Sequence, residues 1–186
     1  MSAFAPAVAV VLRHEGGYVD DPDDLGGETN FGISTKFIRE QGITAEELGL
    51  PNLEPGALKA LKIETASDLY AKYFWYRWGY SKIDDQTCAT KVFDCAVNIG
   101  PMRAATLSQQ AAIVCGQWLV VDGILGPDTA AAINACSRAQ FLQSMADEMA
   151  DYYRALVRKR PRNAKFLRQW LVRAAWPGLT VKAETK

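Results

Sequence analysis

The sequence has few of the residues that metal sites and nucleic-acid surfaces require. Its 186 residues include one histidine, His14, and 21 basic residues balanced by 21 acidic ones. A zinc site would depend almost wholly on the four cysteines, and no Cys-x-x-Cys pair is present. The balanced charge gives no global signal for a nucleic-acid partner. We therefore expect no metal, no cofactor and no nucleic acid.

Long apolar runs are also missing. No stretch approaches the roughly 20 apolar residues that a membrane-spanning helix needs, so the sequence does not predict an integral membrane protein. The beginning of the chain, MSAFAPAVAVVLRHE, has no positively charged region before its apolar residues. We interpret it as a first helix rather than a cleavable secretion signal. A protein made in the cytoplasm would then reach an outside target by a separate route.

Cysteines and basic residues both occur on predicted helices. The four cysteines stand among Ala and Val, which favours reduced, buried thiols: Cys88, Cys95, Cys115 and Cys136. A basic stretch near the end of the chain could contact an anionic polymer or form a solvated helix face, and it contains Arg154, Arg158, Lys159, Arg160, Arg162, Lys165, Arg168 and Arg173.

The hydrophobic pattern predicts a mostly α protein. A first helix covers Ala3–His14 and ends before Gly16-Gly17, so that Glu15 lies at a helix C-terminus. Residues 18–34 lose the helical period and are the one region with β character. Further helices are predicted after Ser34 and Thr44, and over 65–78, 89–99, 104–119, 129–136 and 140–158.

The environment expected for Glu15 is that of a catalytic acid. The negative end of the helix dipole and partial desolvation both favour a protonated carboxyl group. The following loop supplies Asp21, Asp24 and the Thr29 hydroxyl, which could hold a water or stabilise positive charge. Two oxygen-bearing groups across a cleft are what glycosidic cleavage requires. Alternatively, Glu15 accepts hydrogen bonds from turn amides and the aspartates belong to a solvated loop.

The segment EGGYVDDPDDLGGETNFGIS, which begins at Glu15, resembles the signature of glycoside hydrolase family 108, the N-acetylmuramidases of phage and bacterial lysis proteins. Downstream, DLYAKYFWYRWGYSKI and FDCAVNIGP are similar to further family segments. VDGILGPDTAAAI resembles a turn of the family's C-terminal peptidoglycan-binding-like region. One departure is Gln169, where a glycine is expected before the tryptophan.

The resemblance implies a mostly α, lysozyme-like fold with a small irregular β region after the first helix. It also implies a catalytic region over residues 1–100, a helical peptidoglycan-binding-like region over 101–177 packed on it, and a polar tail over 178–186. By position in the motif, Glu15 is the catalytic acid.

The implied activity is hydrolysis of the β-1,4 bond between N-acetylmuramic acid and N-acetylglucosamine in peptidoglycan strands. Thr29, with Asp24 or Asp21, would position the water. Asp94 and Asn98 could bind sugar groups, although Asp94 could equally be a cap or an ion pair. The remaining candidates for sugar contact are Tyr18, Asn30, Trp75 and Trp78, of which the tryptophans have the spacing of core residues as well.

Two other functions stay open at this point. A lytic transglycosylase would cleave the same bond without water, and a wall-binding or phage structural protein would not cleave it at all. As a phage-type lysis enzyme, the protein would act as a monomer on the cell wall and would depend on a holin or another export route.

Overall fold

The computed structural model describes residues 1–20 and 27–182. Its contacts divide the chain into two compact units, which we call the hairpin unit (Val8–Tyr73) and the helical unit (Met1–Ala7 with Phe74–Lys186). These boundaries differ from the sequence segments 1–100 and 101–177, which stay a prediction. The fold class is confirmed, because helices dominate the described residues and one two-stranded hairpin follows the first helix.

The hairpin unit begins within helix α1, Phe4–Glu15, which ends at Glu15 as predicted. Strands β1, Thr29–Asn30, and β2, Ile33–Ser34, pair antiparallel, with Thr29 opposite Ser34. Helix α2, Thr35–Gln41, follows directly. A 3-10 turn, Ala57–Ala60, leads to helix α3, Ile63–Tyr70. The interior of the unit is built from the apolar side chains Val8, Val10, Val11, Ile33, Ile38, Ile43, Leu48, Leu58, Leu61 and Leu69.

Helix α2 begins after Ser34, as its sequence predicts. The Ser34 hydroxyl accepts a 3.1 Å hydrogen bond from the amide of Phe37, and the helix stops before Gly42. By contrast, the predicted helix after Thr44 is wrong. Thr44 and Glu47 do form a reciprocal capping box, with bonds of 3.0 and 3.2 Å, but the chain makes a single turn that ends at Gly49. The box therefore stabilises a turn and not a helix.

The helical unit continues from a π-helical turn, Ala71–Trp75, into helix α4, Tyr76–Trp78, and the 3-10 turn Tyr80–Lys82. Its longer helices then follow in chain order: α5, Gln86–Ile99; α6, Pro101–Val114; α7, Pro127–Ala135; α8, Arg138–Lys159; and α9, Ala164–Ala174. Helix α6 packs on α5, α7 and α8, while α9 packs on α8.

One helix of this unit ends earlier than predicted. The periodic pattern suggests a helix to Leu119, but α6 ends at Val114 and the chain turns at Cys115 and Gly116. Residues 117–126 form a loop in which Trp118, Val120, Val121 and Ile124 are exposed, whereas Leu125 is buried. All four cysteines are free, and Cys88 and Cys95 are buried as predicted, whereas Cys115 and Cys136 are partly exposed.

Candidate active site

The site is centred on Glu15, the last residue of α1. The residue as a whole is partly exposed, but its Oε1 atom is inaccessible to solvent. One carboxyl oxygen of Glu15 is thus covered at the end of a helix, while the residue keeps part of its surface exposed. This is the placement that an acid acting on a bound substrate requires.

The hairpin turn fits closely against Glu15. Its two central residues, Phe31 and Gly32, have φ values of 50° and 77°, the left-handed pair that a tight two-residue hairpin needs. A Cβ atom at Gly32 would lie 2.2 Å from the Tyr70 hydroxyl and 2.8 Å from Oε2 of Glu15. Only glycine therefore fits, and Glu15 and Tyr70 both reach the same face of the turn.

Tyr70 holds this turn in place. Its side chain is buried at the end of α3, and its hydroxyl donates a 2.9 Å hydrogen bond to the carbonyl oxygen of Phe31. The sequence reasoning did not identify Tyr70 or Gly32 as site residues. The Asn-Phe-Gly segment was a signal for the turn, but nothing in the sequence showed which side chains would contact it.

Thr29 lies on the strand that precedes this turn. Its backbone exchanges two 2.8 Å hydrogen bonds with Val19, and its hydroxyl donates a 3.4 Å bond to the carbonyl of Gly27. The neighbouring Asn30 is only 4% exposed, and its amide donates a 2.8 Å bond to the carbonyl of Leu58. The structure thus gives Asn30 a structural bond inside the unit, which does not favour the predicted sugar contact.

A second polar cluster forms around Glu28, which is 6% exposed. Its Oε2 accepts hydrogen bonds from the Tyr18 hydroxyl, at 3.0 Å, and the Gly56 amide, at 2.9 Å. Desolvation, followed by the hydrogen bond to Glu28, raises the pKa of Tyr18 to about 12. Lys59 Nζ lies 5.1 Å from the centroid of the Tyr18 ring. The sequence alone predicts no role for Glu28.

The Glu28 cluster borders a cavity of about 530 Å³. Its walls include Glu28, Arg39 and the apolar side chains of Ile38, Leu53 and Leu58. Asp20 and Gly27, which flank residues 21–26, line it as well. Asp21 and Asp24, the predicted partners of Glu15, fall outside the described residues and stay predictions.

Two of the candidates in the helical unit belong to its interior. Trp75 is 1% exposed and packs against Phe4, Tyr80 and Phe93, with ring centroids 5.3 to 6.0 Å apart. Asp94 is fully buried, and its carboxylate accepts bonds of 3.0 and 2.7 Å from the guanidinium of Arg173. The structure therefore favours the core interpretation of Trp75 and the ion-pair interpretation of Asp94 over sugar contact.

The other two candidates of this unit stay on its periphery. Asn98 is partly exposed, and its Oδ1 accepts a 2.7 Å hydrogen bond from the Tyr153 hydroxyl. Trp78 is partly exposed at the end of α4. Sugar binding by these two side chains stays a prediction.

The described residues contain no group of three or more His, Cys, Asp or Glu side chains that could hold a metal ion. Among residues 1–20 and 27–182, no helix combines the length and the apolar character needed to cross a membrane.

Comparison with protein families identifies the segment that carries Glu15. A family model described as glycosyl hydrolase 108 matches residues 8–100, half of the chain. The chain belongs to this family. A second model, described as a predicted peptidoglycan domain, matches residues 103–175. The two matches support peptidoglycan as the substrate and the degradation of cell walls as the activity of this glycoside hydrolase.

The fold is also similar to a solved structure, that of Brucella abortus SagA. The two chains are 24% identical, the TM-score is 0.64, and the similarity covers 95% of this chain and 98% of the other. At this level of identity the likeness shows the fold alone, which is mostly α and lysozyme-like. No curated protein matches the chain.

Proposed function

We propose that this family member is an N-acetylmuramidase that hydrolyses the β-1,4 bond between N-acetylmuramic acid and N-acetylglucosamine, with Glu15 as the general acid. The observation that carries the proposal is the position of Glu15 at the C-terminus of α1, with Oε1 covered and Oε2 beside the glycine of the hairpin turn. The residue also lies inside the segment matched by the glycosyl hydrolase family.

The proposed reaction begins with proton transfer from the Glu15 carboxyl to the glycosidic oxygen. As that bond breaks, the muramic acid ring acquires oxocarbenium character, and a water attacks its anomeric carbon. A base removes one proton from this water, so the products are two sugars with new hydroxyl groups. We assign the orientation of the water to Thr29, with Asp24 or Asp21 as the carboxylate that accepts the proton.

The surroundings of Glu15 suit an acid that must not move. The hairpin turn, fixed by the Tyr70 bond to Phe31, lies against the side chain of Glu15, and Gly32 leaves just enough room for it. A carboxyl group held in one orientation loses less freedom on reaching the transition state than a mobile one. Tyr18 and Trp78 are the remaining aromatic candidates for contact with sugar faces.

The proposal is tested with the Glu15→Gln variant on purified peptidoglycan. The glutamine amide is nearly isosteric with the carboxyl group but has no acidic proton. We therefore expect the rate of peptidoglycan cleavage to fall at least about a hundredfold, the typical contribution of acid catalysis. Turbidity of wall suspensions measures the rate, and circular dichroism checks that the fold is intact. An intact Glu15→Gln variant with substantial lytic activity would remove Glu15 from the mechanism.

The products distinguish the remaining alternatives. Mass spectrometry should find reducing muramic acid ends, because water adds to the anomeric carbon. Anhydromuramic ends would instead identify a lytic transglycosylase. If the protein sediments with walls but causes neither a fall in turbidity nor release of sugars, it is a wall-binding protein and the hydrolase proposal is wrong.

A further inference from the structure

We propose that the loop after α6 carries a second peptidoglycan contact, in which the indole of Trp118 stacks on the face of an N-acetylated sugar of the glycan strand. The inference rests on the proposed function, since it takes the same polymer as ligand, but it concerns different residues. We call this contact the Trp118 surface and define it by the exposed side chains of Val114, Trp118, Val120, Val121 and Ile124.

The exposure of this surface is unusual for its composition. Trp118 is 94% exposed and Val120 is 70% exposed, whereas tryptophan is on average a strongly buried residue. Val114 and Ile124 are each at least 60% exposed. Single exposed apolar side chains need no explanation, but five of them within eleven residues, with a 94% exposed tryptophan among them, favour a binding surface.

The loop that carries Trp118 is fixed by a buried side chain. Gln109, which is 1% exposed, donates through Nε2 to Oδ1 of Asp122, at 2.6 Å, and to Oγ1 of Thr129, at 3.0 Å. Its Oε1 accepts a 2.9 Å bond from the amide of Gly123. A hydrogen-bonded glutamine thus ties the middle of the loop to the body of the unit.

Close packing adds to this restraint. A Cβ atom at Gly123 would lie 3.2 Å from both the carbonyl oxygen of Met102 and the hydroxyl of Thr106, so the loop backbone touches α6 there. The sequence VDGILGPDT is explained by these contacts. These contacts restrain the loop at residues 122–124, which lowers the conformational freedom that binding through Trp118 would cost.

The charge of the segment selects the kind of ligand. Residues 104–137 contain no Lys or Arg, and their charged side chains are Asp122 and Asp128. Binding to an anionic membrane surface or to a polyanion relies on clustered basic residues, which this segment lacks. The faces of N-acetylated pyranose rings carry no charge, and the partly exposed Gln117 beside Trp118 offers an amide to their acetamido groups.

The glycan strand is therefore the occupant that fits best. The whole Trp118 surface lies inside residues 103–175, the segment matched by the predicted peptidoglycan domain. An aromatic face presents apolar area to the C–H groups of a sugar while neighbouring amides bond to its polar substituents. A membrane and a second copy of the chain are the other possible occupants, and the experiment separates them.

The test measures binding of the full chain to purified, insoluble peptidoglycan by sedimentation, in a Glu15→Gln background so that the polymer stays intact. Trp118→Ala should raise the dissociation constant about tenfold, in the range expected when a central aromatic contact is truncated. Trp118→Phe, which retains a ring, should recover part of the affinity. The control is Val172→Ala, a truncation of a 68% exposed apolar side chain on α9, which should bind like the parent.

Three outcomes would overturn the proposal. Trp118→Ala could bind walls as tightly as Val172→Ala does. Alternatively, it could abolish concentration-dependent dimers in sedimentation velocity without changing wall binding, which would assign the surface to a second copy. It could also abolish binding to phosphatidylglycerol and phosphatidylethanolamine vesicles while wall binding stays, which would assign it to a membrane.

Two different measurements test the Trp118 surface and the catalytic role of Glu15, so the failure of one proposal can be told from the failure of the other. The cleavage rate on short soluble glycan fragments reports on Glu15, because Glu15→Gln should lower it while Val172→Ala leaves it unchanged. Wall binding reports on Trp118. If Glu15→Gln cleaves normally, the catalytic proposal fails, and the comparison of Trp118→Ala with Val172→Ala, made in the same cleaving background, still decides the role of Trp118.

Discussion

The hydroxyl of Tyr70 donates a 2.9 Å hydrogen bond to the carbonyl oxygen of Phe31 and so joins the end of α3 to the hairpin turn beside Glu15. Phe31 is a non-glycine residue in the left-handed region, with φ of 50°, a conformation that is costly unless its surroundings hold it. The hydrogen bond is one such restraint. It connects a helix that carries no catalytic group to the position of the proposed acid.

Replacing Tyr70 with Phe tests this connection. The change removes the tyrosine donor from a part-buried carbonyl, so we expect a loss of about 0.5 to 1.5 kcal/mol in the free energy of unfolding. If Tyr70 positions the turn against Glu15, kcat should fall more than KM changes, because the acid is misplaced only slightly and binding surfaces are retained. Denaturant unfolding and steady-state kinetics on soluble glycan fragments measure the two effects.

The control for this variant is Tyr80→Phe. Tyr80 is also 1% exposed but belongs to the aromatic cluster of the helical unit, with Trp75 and Phe93. Its variant should keep the parent kcat. Equal kcat values for Tyr70→Phe, Tyr80→Phe and the parent would show that the Phe31 bond does not act on catalysis.

Gly32→Ala should be more damaging than the positive φ alone explains. The added methyl group would meet the Tyr70 hydroxyl at 2.2 Å and Glu15 Cγ at 2.7 Å, and Tyr70 is buried and hydrogen-bonded. The left-handed conformation by itself costs a residue with a Cβ atom about 1 to 2 kcal/mol. We expect Gly32→Ala to lower the free energy of unfolding by clearly more than this and to abolish nearly all lytic activity. Thermal unfolding and a turbidity assay measure both.

Gly49→Ala is the matched control. Gly49 has φ of 65°, but a Cβ atom there would meet nothing within 4 Å. This variant should show the conformational cost without the collision and should retain activity. If the two alanine variants are equally stable and equally active, the close approach of Glu15 and Tyr70 to the turn does not affect stability or activity.

The buried thiols give a third prediction. Burial, followed by the charge of a neighbouring aspartate, raises the pKa of Cys88 and of Cys95 to about 12. A higher pKa means less thiolate at a given pH, and the thiolate is the species that reacts. At pH 8 the native protein should therefore label these two residues far more slowly with iodoacetamide than the protein unfolded in guanidinium, which should react at all four cysteines. Peptide mapping of a native sample with rapid labelling at Cys95 would contradict this assignment.

Local signals in the sequence predicted local structure well. Glu15 lies at the end of α1 because Gly16-Gly17 stops the helix, and α2 runs from the Ser34 cap to Gly42. Capping signals failed at Thr44, because the hydrogen bonds of the Thr44–Glu47 capping box can close a single turn as well as begin a helix. The end of α6 was missed because the apolar residues beyond Val114 continue a helical period although they lie on the surface.

The site was only partly predictable, because partners distant in sequence leave no local pattern. The motif identified Glu15, but the contact of Gly32 with Tyr70 joins residues 38 positions apart, and no spacing rule indicates it. Trp75 and Tyr76 both fall within the helix predicted over 65–78, whereas the structure buries the first and leaves the second 70% exposed. Asp94 was compatible with a sugar ligand until Arg173, far along the chain, was found beside it.

The Asp94–Arg173 pair gives the last prediction. Asp94 is fully buried and Arg173 is 8% exposed, so replacing Arg173 with Met should leave a buried carboxylate without its guanidinium and cost about 3 to 5 kcal/mol. The exposed Lys36–Glu40 pair, at 3.8 Å, is the control, and Lys36→Met should change the free energy of unfolding by less than about 1 kcal/mol. Urea unfolding measures both changes in the free energy of unfolding.

Because the Asp94 carboxylate is bonded to Arg173 inside the protein, Asp94→Asn should lower stability while leaving KM for glycan fragments unchanged. A raised KM in a variant of parental stability would return Asp94 to the substrate-binding residues.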